Sequence, residues 1–239
     1  VKIPRWDFEK YQEADNRLGI QMKSVGEVLA FGRSFKDAFQ KAWRSLEKNI
    51  DGWSRCKKEY SILELETLLK TPTPALFDYI KEAFYKGMDI EKIYSLTGVG
   101  KWFLYQLQDM YLLEKELINE KYPLTKNKLI QAKKDGFSNT QIANLISSDK
   151  KLIEEQLDNF NIKPTFKMVD TCAGEFEAQT PYYFKTYEEL NENRISNNKK
   201  IVILGSGPNR IGQGVEFDYS CVHAVKAAQE LGYEAILVN

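Results

Sequence analysis

The sequence predicts a mainly α protein with a helical body in its middle and a short β-α-β unit at its end. Apolar residues recur at helical spacing through almost all of residues 50 to 160. Within that region, two stretches resemble each other at a constant offset of 49 residues. The last forty residues or so read as strand, helix and strand. Together these patterns predict a helical domain joined to the start of a parallel sheet.

Composition excludes several classes of function. The 34 basic and 34 acidic side chains cancel, which argues against binding nucleic acid or a membrane through bulk charge. Cys56, Cys172 and Cys221 lie far apart without a C-x-x-C pair, so we expect no metal site and a reducing, cytoplasmic setting. No run of about 18 apolar residues or signal pattern occurs, so neither export nor membrane insertion is indicated.

The first fifty residues predict one strand and one helix. Residues 1–21 show no clear period and are expected to form loop and edge material. Residues 22–32 contain a short apolar run that favours a buried strand. Ser34 then precedes apolar residues at steps of three and four, and Asp37 stands where a carboxylate favours a helix start. We therefore expect a helix capped by Ser34.

The helical body contains an apparent internal repeat. Residues 81–107 align with residues 130–156, so that Gly87 matches Gly136 and the residues two positions later are Asp and Ser. A helix ending at a glycine and restarting at a capping side chain predicts a helix-turn-helix unit in each copy. Chance similarity between amphipathic helices is the alternative.

The chain loses helical spacing after residue 163. Residues 163–190 hold two prolines and a cluster of aromatic residues, which predicts an extended segment lying across other surfaces. Residues 192–200 are polar and read as a linker. The strand 201–204, the helix 216–231 and the strand 235–238 follow. Because a parallel sheet needs more strands and helices on both faces, we expect this unit to begin a sheet that continues outside the chain.

The turn after residue 204 is a glycine-rich loop that invites a cofactor interpretation. Its members are Gly205, Gly207, Asn209, Arg210, Gly212 and Gln213. In a dinucleotide fingerprint a third glycine stands where this loop has Arg210, and an acidic residue stands where the second strand ends in Asn239. NAD and FAD are therefore not expected. Backbone N–H donors near a helix start favour an anion or carboxylate, and a tight structural turn is the alternative.

No catalytic residue is predicted. His223 is the chain's single histidine and has no serine or cysteine motif around it, so no triad can be assembled. Glu27 and Glu216 are carboxylates flanked by apolar residues, for which solvent exposure and a salt bridge are equally suitable structural roles. The segment LTGVGKWF (96–103) is similar to loops that grip DNA phosphates, but the apolar stripe of its helix, with Trp102 and Phe103 included, favours core packing.

Four longer strings carry a family resemblance. They are VKIPRWDFEKY at residues 1–11, MKSVGEVLAFGRSFKDAFQKAWRSLE at 22–47, VDTCAGEFEAQTPYYFKTYEE at 169–189 and GSGPNRIGQGVEFDYSCVHA at 205–224. In order and spacing they resemble the carbamoyl phosphate synthetase large subunit. The resemblance implies that residues 1–48 are the tail of a first, carboxyphosphate-forming ATP-grasp unit and 49–195 a helical oligomerisation domain. Residues 196–239 would begin a Rossmann-like pre-ATP-grasp domain of the second, carbamoyl phosphate-forming half.

The same resemblance implies a function for the complete protein. It would be a ligase that makes carbamoyl phosphate from bicarbonate, glutamine-derived ammonia and two ATP, for arginine or pyrimidine synthesis. ATP, magnesium or manganese, and potassium would serve the full-length enzyme, with none bound by this piece. A glutaminase small subunit and a second copy of the chain would be its partners. The piece itself would be an inactive linker and scaffold.

The resemblance also implies site residues, since the family passes carbamate through a tunnel between its halves. By motif, Glu27, Gly214 and Glu216 resemble lining positions of that tunnel. One departure is LTGVGKWF, where the family more often has Asp near the second glycine. The alternative function is a non-catalytic nucleotide-binding β-α-β module with a helical interaction domain.

Overall fold

A computed structural model describes residues 1–55, 58–177, 179–205, 207 and 216–238, with only the backbone for Glu216 and Phe217. The strands are β1 (Lys2–Arg5), β2 (Gly26–Leu29), β3 (Thr165–Met168), β4 (Tyr183–Thr186), β5 (Lys200–Leu204) and β6 (Glu234–Val238). The helices are α1 (Phe35–Arg44), α2 (Ile62–Leu69), α3 (Leu76–Tyr85), α4 (Ile90–Thr97), α5 (Lys101–Asn119), α6 (Lys126–Lys134), α7 (Asn139–Leu145), α8 (Lys150–Asn159) and α9 (Glu216–Glu230). The prediction of a mainly α protein is confirmed.

The N-terminal segment corrects one expectation. Residues 2–5, expected to be loop and edge material, form the regular strand β1 and pair antiparallel with β2, in register Ile3 with Val28. Both of these side chains are buried, whereas Leu29 faces solvent, so β2 is buried on one face rather than throughout. The apolar residues of segment 1–21 show no clear period. Strand β1 therefore depends on its pairing with β2.

Helix α1 forms as predicted. The Ser34 hydroxyl accepts a hydrogen bond from the Asp37 backbone N–H at 3.1 Å, which caps the helix. Its inner face buries Phe39, Ala42 and Trp43 against the helical body. Helix α1 thereby belongs to the same core as the helices that follow it.

The helical body is an internal duplication, which confirms the predicted repeat and extends it. Helices α3, α4 and α5 form one unit and α6, α7 and α8 the other; α4 and α7 begin 49 residues apart, as do α5 and α8. Four matching pairs of apolar positions are buried alike. The fully buried pairs are Ile80 and Leu129, Ala83 and Ala132, Ile93 and Ile142, and Leu104 and Ile153. The stretch from 50 to 61, expected to be largely helical, contains no helix in its described part.

Helix α5 joins two hydrophobic cores. Its first half contributes Leu104 and Leu107 to a core shared with α1, α3 and α4, and its second half contributes Leu113 and Leu117 to a core shared with α6, α7 and α8. The expectation that Trp102 and Phe103 lie in the core is wrong. They are 57% and 47% exposed, because they precede the inward-facing positions of α5.

Two further two-stranded sheets follow the helical body in sequence. Strands β3 and β4 pair antiparallel, and the segment 183–187, called the strap below, crosses α1 and α6 as the predicted extended segment. Strands β5 and β6 pair parallel on either side of α9 in sequence, which confirms the β-α-β unit. Its Val202, Leu204 and Val238 are exposed. In the described part of the chain, no helix is both long and apolar enough to cross a membrane.

Candidate functional site

The predicted tunnel residues are only partly described. Glu27 lies on β2 opposite Pro4, with its carboxylate 2.7 Å from Lys2 Nζ and its side chain 54% exposed. Both structural roles expected for it, exposure and a salt bridge, are therefore present together. Gly214 lies outside the described residues, and Glu216 is described only as the first backbone position of α9. The tunnel assignment stays a prediction.

The glycine-rich loop is described at two positions. The Gly205 N–H donates to Val238 O at 2.6 Å and so extends the pairing of β5 with β6. Gly207 has φ +75°, and a Cβ there would lie 2.4 Å from Glu47 Oε1. A side chain at this position would be strained by the left-handed backbone and would require the Glu47 side chain to move. Asn209, Arg210, Gly212 and Gln213 fall outside the described residues.

Other candidate chemistry is not assembled. His223 is exposed and packs against Tyr219, with ring centroids 4.1 Å apart. Cys172 and Cys221 are free thiols. In the described ranges, no group of three or more His, Cys, Asp or Glu side chains could hold a metal ion.

A cleft of about 1020 Å³ opens between the N-terminal segment, α1 and the helical body. Its walls include Trp6, Phe39, Trp43 and Phe77. Asp78 lies at this cleft, and burial raises the pKa of its carboxyl to about 6 against the opposing effect of Lys48. The cleft therefore combines aromatic packing surface with a carboxylate that titrates near neutrality.

A buried ion pair holds α3 to α5. Lys81 and Glu114 are each 1% exposed, and their Nζ and Oε2 atoms lie 2.6 Å apart. Lys81 Nζ also donates to Trp53 O, and the Tyr85 hydroxyl donates to Glu114 Oε1 at 2.8 Å. Because each charged group keeps several partners, the pair fixes the loop carrying Trp53 on the two helices.

A second polar cluster, the Lys133 cluster, joins α1, α6 and the strap. It consists of Asp37, Lys41, Arg44, Lys133 and Tyr187. Arg44 Nη1 donates to Gly136 O at 2.6 Å, Lys41 binds Asp37 at 2.8 Å, and Lys41 also donates to Lys185 O. Burial and, after it, the positive charge of Arg44 lower the pKa of Lys133 to about 7.

The sequence interpretation missed both lysines. Each stands on a core-facing stretch of its helix, where a lysine is unusual. The repeat offers a signal for one of them, since Lys133 occupies the position that corresponds to Phe84, which is 3% exposed. A lysine replacing a core phenylalanine of the other copy marks a polar cluster.

Comparison with known proteins agrees with the geometry. A family model described as the carbamoyl-phosphate synthetase large chain, oligomerisation domain, matches residues 27–161. A second, described as the carbamoyl phosphate synthase preATP-grasp domain, matches residues 197–239. The first match covers β2, α1 and the helical body. The second covers the β-α-β unit.

Curated relatives match along the whole chain. Carbamoyl phosphate synthase large chains are 45% identical in Clostridium acetobutylicum, 47% in Methanobrevibacter smithii and 49% in a Thermotoga species. Each match covers 100% of this chain and only 21–22% of the relative, so the chain spans about a fifth of their length. With one family model covering more than half of its residues, the chain belongs to the carbamoyl-phosphate synthetase large chain family.

Proposed function

We propose that this chain is the part of a carbamoyl phosphate synthase large chain that joins two ATP-dependent halves and mediates self-association. The observation that carries the proposal is the order of the two family matches, an oligomerisation domain followed directly by a preATP-grasp domain. Whole-chain identity of 45–49% to about a fifth of each relative supports the same assignment.

The proposed boundaries follow the sequence. Residues 1–48 would be the tail of a first ATP-grasp unit, residues 49–195 the oligomerisation domain with its extended segment, and residues 196–239 the start of a Rossmann-like second half. The oligomerisation-domain match itself begins earlier, at residue 27, and so includes β2 and α1. The exposed strands β5 and β6 support the last assignment, since a parallel pair needs neighbouring strands to bury it.

The complete protein would act as a cytoplasmic ATP-dependent ligase. It would convert bicarbonate, ammonia released from glutamine by a small subunit, and two ATP into carbamoyl phosphate, which feeds arginine or pyrimidine synthesis. ATP, magnesium or manganese, and potassium would bind outside these residues. Glu27, Gly214 and Glu216 would line the carbamate passage, where glycine gives clearance.

A chimaera tests the joining role. Residues 1–239 replace the aligned segment of the Clostridium acetobutylicum relative, and carbamoyl phosphate synthesis is measured. We expect the chimaera to be active, because about 45% identity keeps the buried positions compatible. The control replaces only residues 62–161. A chimaera that folds and uses ATP normally but makes no product, while its control does, would contradict the role assigned to the two flanking segments.

A further inference from the structure

The surroundings of Lys133 are those of a neutral amine. Its side chain is buried, and Nζ donates to Phe137 O at 2.9 Å and to Asn139 Oδ1 at 2.7 Å. A neutral amine has two N–H donors and one lone pair, whereas an ammonium has three donors. The two acceptors therefore satisfy the amine and leave its lone pair available. No carboxylate among the described residues forms an ion pair with this nitrogen.

The charge around this amine is positive. Arg44 and Lys185 both act on Lys133 as positive charges, and neither forms an ion pair within the described ranges. Asp37, the carboxylate whose charge acts on Lys133, already binds Lys41 at 2.8 Å. The charged groups that act on Lys133 are Arg44 and Asp37 from α1 and Lys185 from the strap. The other charged and titratable groups of this region are Lys41 from α1, Lys134 from α6 and Asp135 after it, and Tyr187 and Glu188 from the strap and the residue after it; Asp135 pairs with Lys36, and Lys134 with Glu188. A negative charge on Lys133 would offset this excess.

We propose that Lys133 is a reversible carboxylation site, at which the amine adds to carbon dioxide and the resulting carbamate is held by the cations of α1 and the strap. The nitrogen lone pair forms a bond to carbon, and one C=O π pair moves onto oxygen. The nitrogen then releases one proton to solvent. The product is an Nζ-carboxylate carrying one negative charge, and starting from the ammonium two protons are released.

Hydrogen bonding suits the product. The carbamate nitrogen keeps one N–H, which continues to donate to Phe137 O. The Asn139 amide can rotate so that Nδ2 donates to a carbamate oxygen. Arg44 uses Nη1 for Gly136 O and has further N–H donors for the second oxygen.

Selectivity follows from the fraction of neutral amine. With a pKa of about 7, Lys133 has a neutral fraction near neutral pH that exceeds that of an ordinary lysine by roughly three orders of magnitude. Lys81 is an internal comparison, since it is also buried. Burial lowers its pKa too, but Glu114 lies 2.6 Å from Nζ, opposes this shift and occupies the nitrogen in an ion pair. Lys81 is expected not to react.

The test equilibrates the 239-residue chain with ¹³C-labelled carbon dioxide. Trialkyloxonium alkylation then traps carbamates as esters, and peptide mass spectrometry locates them. We expect Lys133 to carry at least about tenfold more label than any other lysine near neutral pH, and the label to fall as pH is lowered below 7 at fixed dissolved carbon dioxide. Arg44→Gln should reduce the label several-fold, while the matched Arg55→Gln, in an arginine bound to Glu82 elsewhere, should leave it unchanged.

Three results would overturn the proposal. One is label spread evenly over the lysines, and another is a total of trapped lysine label that is not reduced in Lys133→Met. The third is labelling of Lys133 that is unaffected by Arg44→Gln, which would remove the role of the cations. If Lys133→Met fails to fold, as judged by circular dichroism, trapping on the unmodified chain still decides, because it reports the labelled position directly.

Discussion

At the scale of single residues, two buried lysines solve the same problem in different ways. Lys81 is neutralised by Glu114 and hydrogen-bonded to Trp53 O, whereas Lys133 has carbonyl and amide acceptors and cations nearby. Burial of a charge is costly unless it is paired. Removing the partner carboxylate of Lys81 is therefore expected to destabilise the fold. Replacing Lys133 by an apolar residue is expected to stabilise it.

Glu114→Gln removes the carboxylate and leaves Lys81 buried without its counter-charge. We expect the free energy of unfolding to fall by about 3–5 kcal/mol, as measured by urea denaturation. The matched control is Glu116→Gln on the same helix, whose carboxylate is 56% exposed and pairs with Lys128. The control should cost less than about 1 kcal/mol. Equal decreases in the free energy of unfolding in the two variants would show that the buried pair contributes no more than an exposed one.

Lys133→Met replaces the amine by an apolar side chain of similar length. Burial lowers the pKa of Lys133 from 10.5 to about 7, so between these values the unfolded chain binds more protons than the folded chain. The contribution of Lys133 to stability therefore rises with pH across that window and is least favourable below it. We expect the variant to be more stable by about 1–2 kcal/mol at about pH 6, after loss of two hydrogen bonds.

Denaturation at about pH 6 and about pH 9 measures this effect, because the variant should lose the pH slope of the unmodified chain. The control is Lys126→Met, an exposed position on the same helix, which should keep the slope. An unchanged slope in Lys133→Met would mean that Lys133 titrates normally.

At the scale of elements, equivalent turns of the two repeats have different structural roles. Gly87 ends the first helix of one repeat and Gly136 that of the other, with φ of +78° and +85°. Nothing lies within 4 Å of a Cβ built on Gly87, whereas one on Gly136 would lie 2.8 Å from Asp37 Cα. Both glycines satisfy a left-handed turn, and Gly136 also allows α1 to pack against the second repeat.

Alanine substitution at each glycine distinguishes the left-handed turn from the close packing of α1. Gly87→Ala should cost about 1 kcal/mol of stability, the penalty of a left-handed alanine. Gly136→Ala should cost about 2–3 kcal/mol more, because α1 must move away from the turn. Thermal or urea denaturation measures both, and Gly87→Ala is the control for Gly136→Ala. Costs of similar size would contradict close packing of α1 at this turn.

At the scale of the whole molecule, self-association needs an exposed apolar face, and two candidates lie on α2 and α5 in the described part of the helical body. Ile62 and Leu63 of α2 are 55% and 75% exposed, and Trp102 and Tyr105 of α5 are 57% and 51% exposed. Light scattering over a range of concentrations should show a mass above 27.7 kDa. Two double variants test the faces: Ile62→Glu with Leu63→Glu, and Trp102→Glu with Tyr105→Glu. The double variant that disrupts the interface should have the mass of the monomer.

The control for these glutamate pairs is Leu152→Glu on α8, the counterpart of Phe103 in the second repeat, which is 36% exposed. Association should survive this change. A strictly monomeric chain at high concentration, with no variant needed, would count against self-association through these residues.

The passage prediction also belongs to the whole molecule. If the complete protein has the proposed activity, Gly214→Phe should uncouple ATP hydrolysis from carbamoyl phosphate formation, because a bulky side chain would narrow the proposed passage for carbamate. Both rates are measured in parallel. The control is Gly19→Phe, at a position with nothing within 4 Å of a Cβ. Coupling that stays intact in Gly214→Phe would remove this residue from the passage.

Local patterns in the sequence determined much of the fold. Helical spacing, the cap at Ser34 and the offset of 49 residues were sufficient for α1 and the two repeats, since these depend on neighbours a few residues away. The β-α-β unit was likewise predicted within a residue or two at its ends. Short motifs at both ends were sufficient for the family, which the comparisons confirm.

Only the tertiary structure decided the rest, because it depends on partners distant in sequence. Strand β1 exists through its pairing with β2, and the exposure of Trp102 depends on which turn of α5 faces the core. The same holds for charge. Whether a lysine on a helix is solvated, paired as Lys81 is, or left among cations as Lys133 is, depends on groups brought from other helices and from the strap, and no local pattern specifies them.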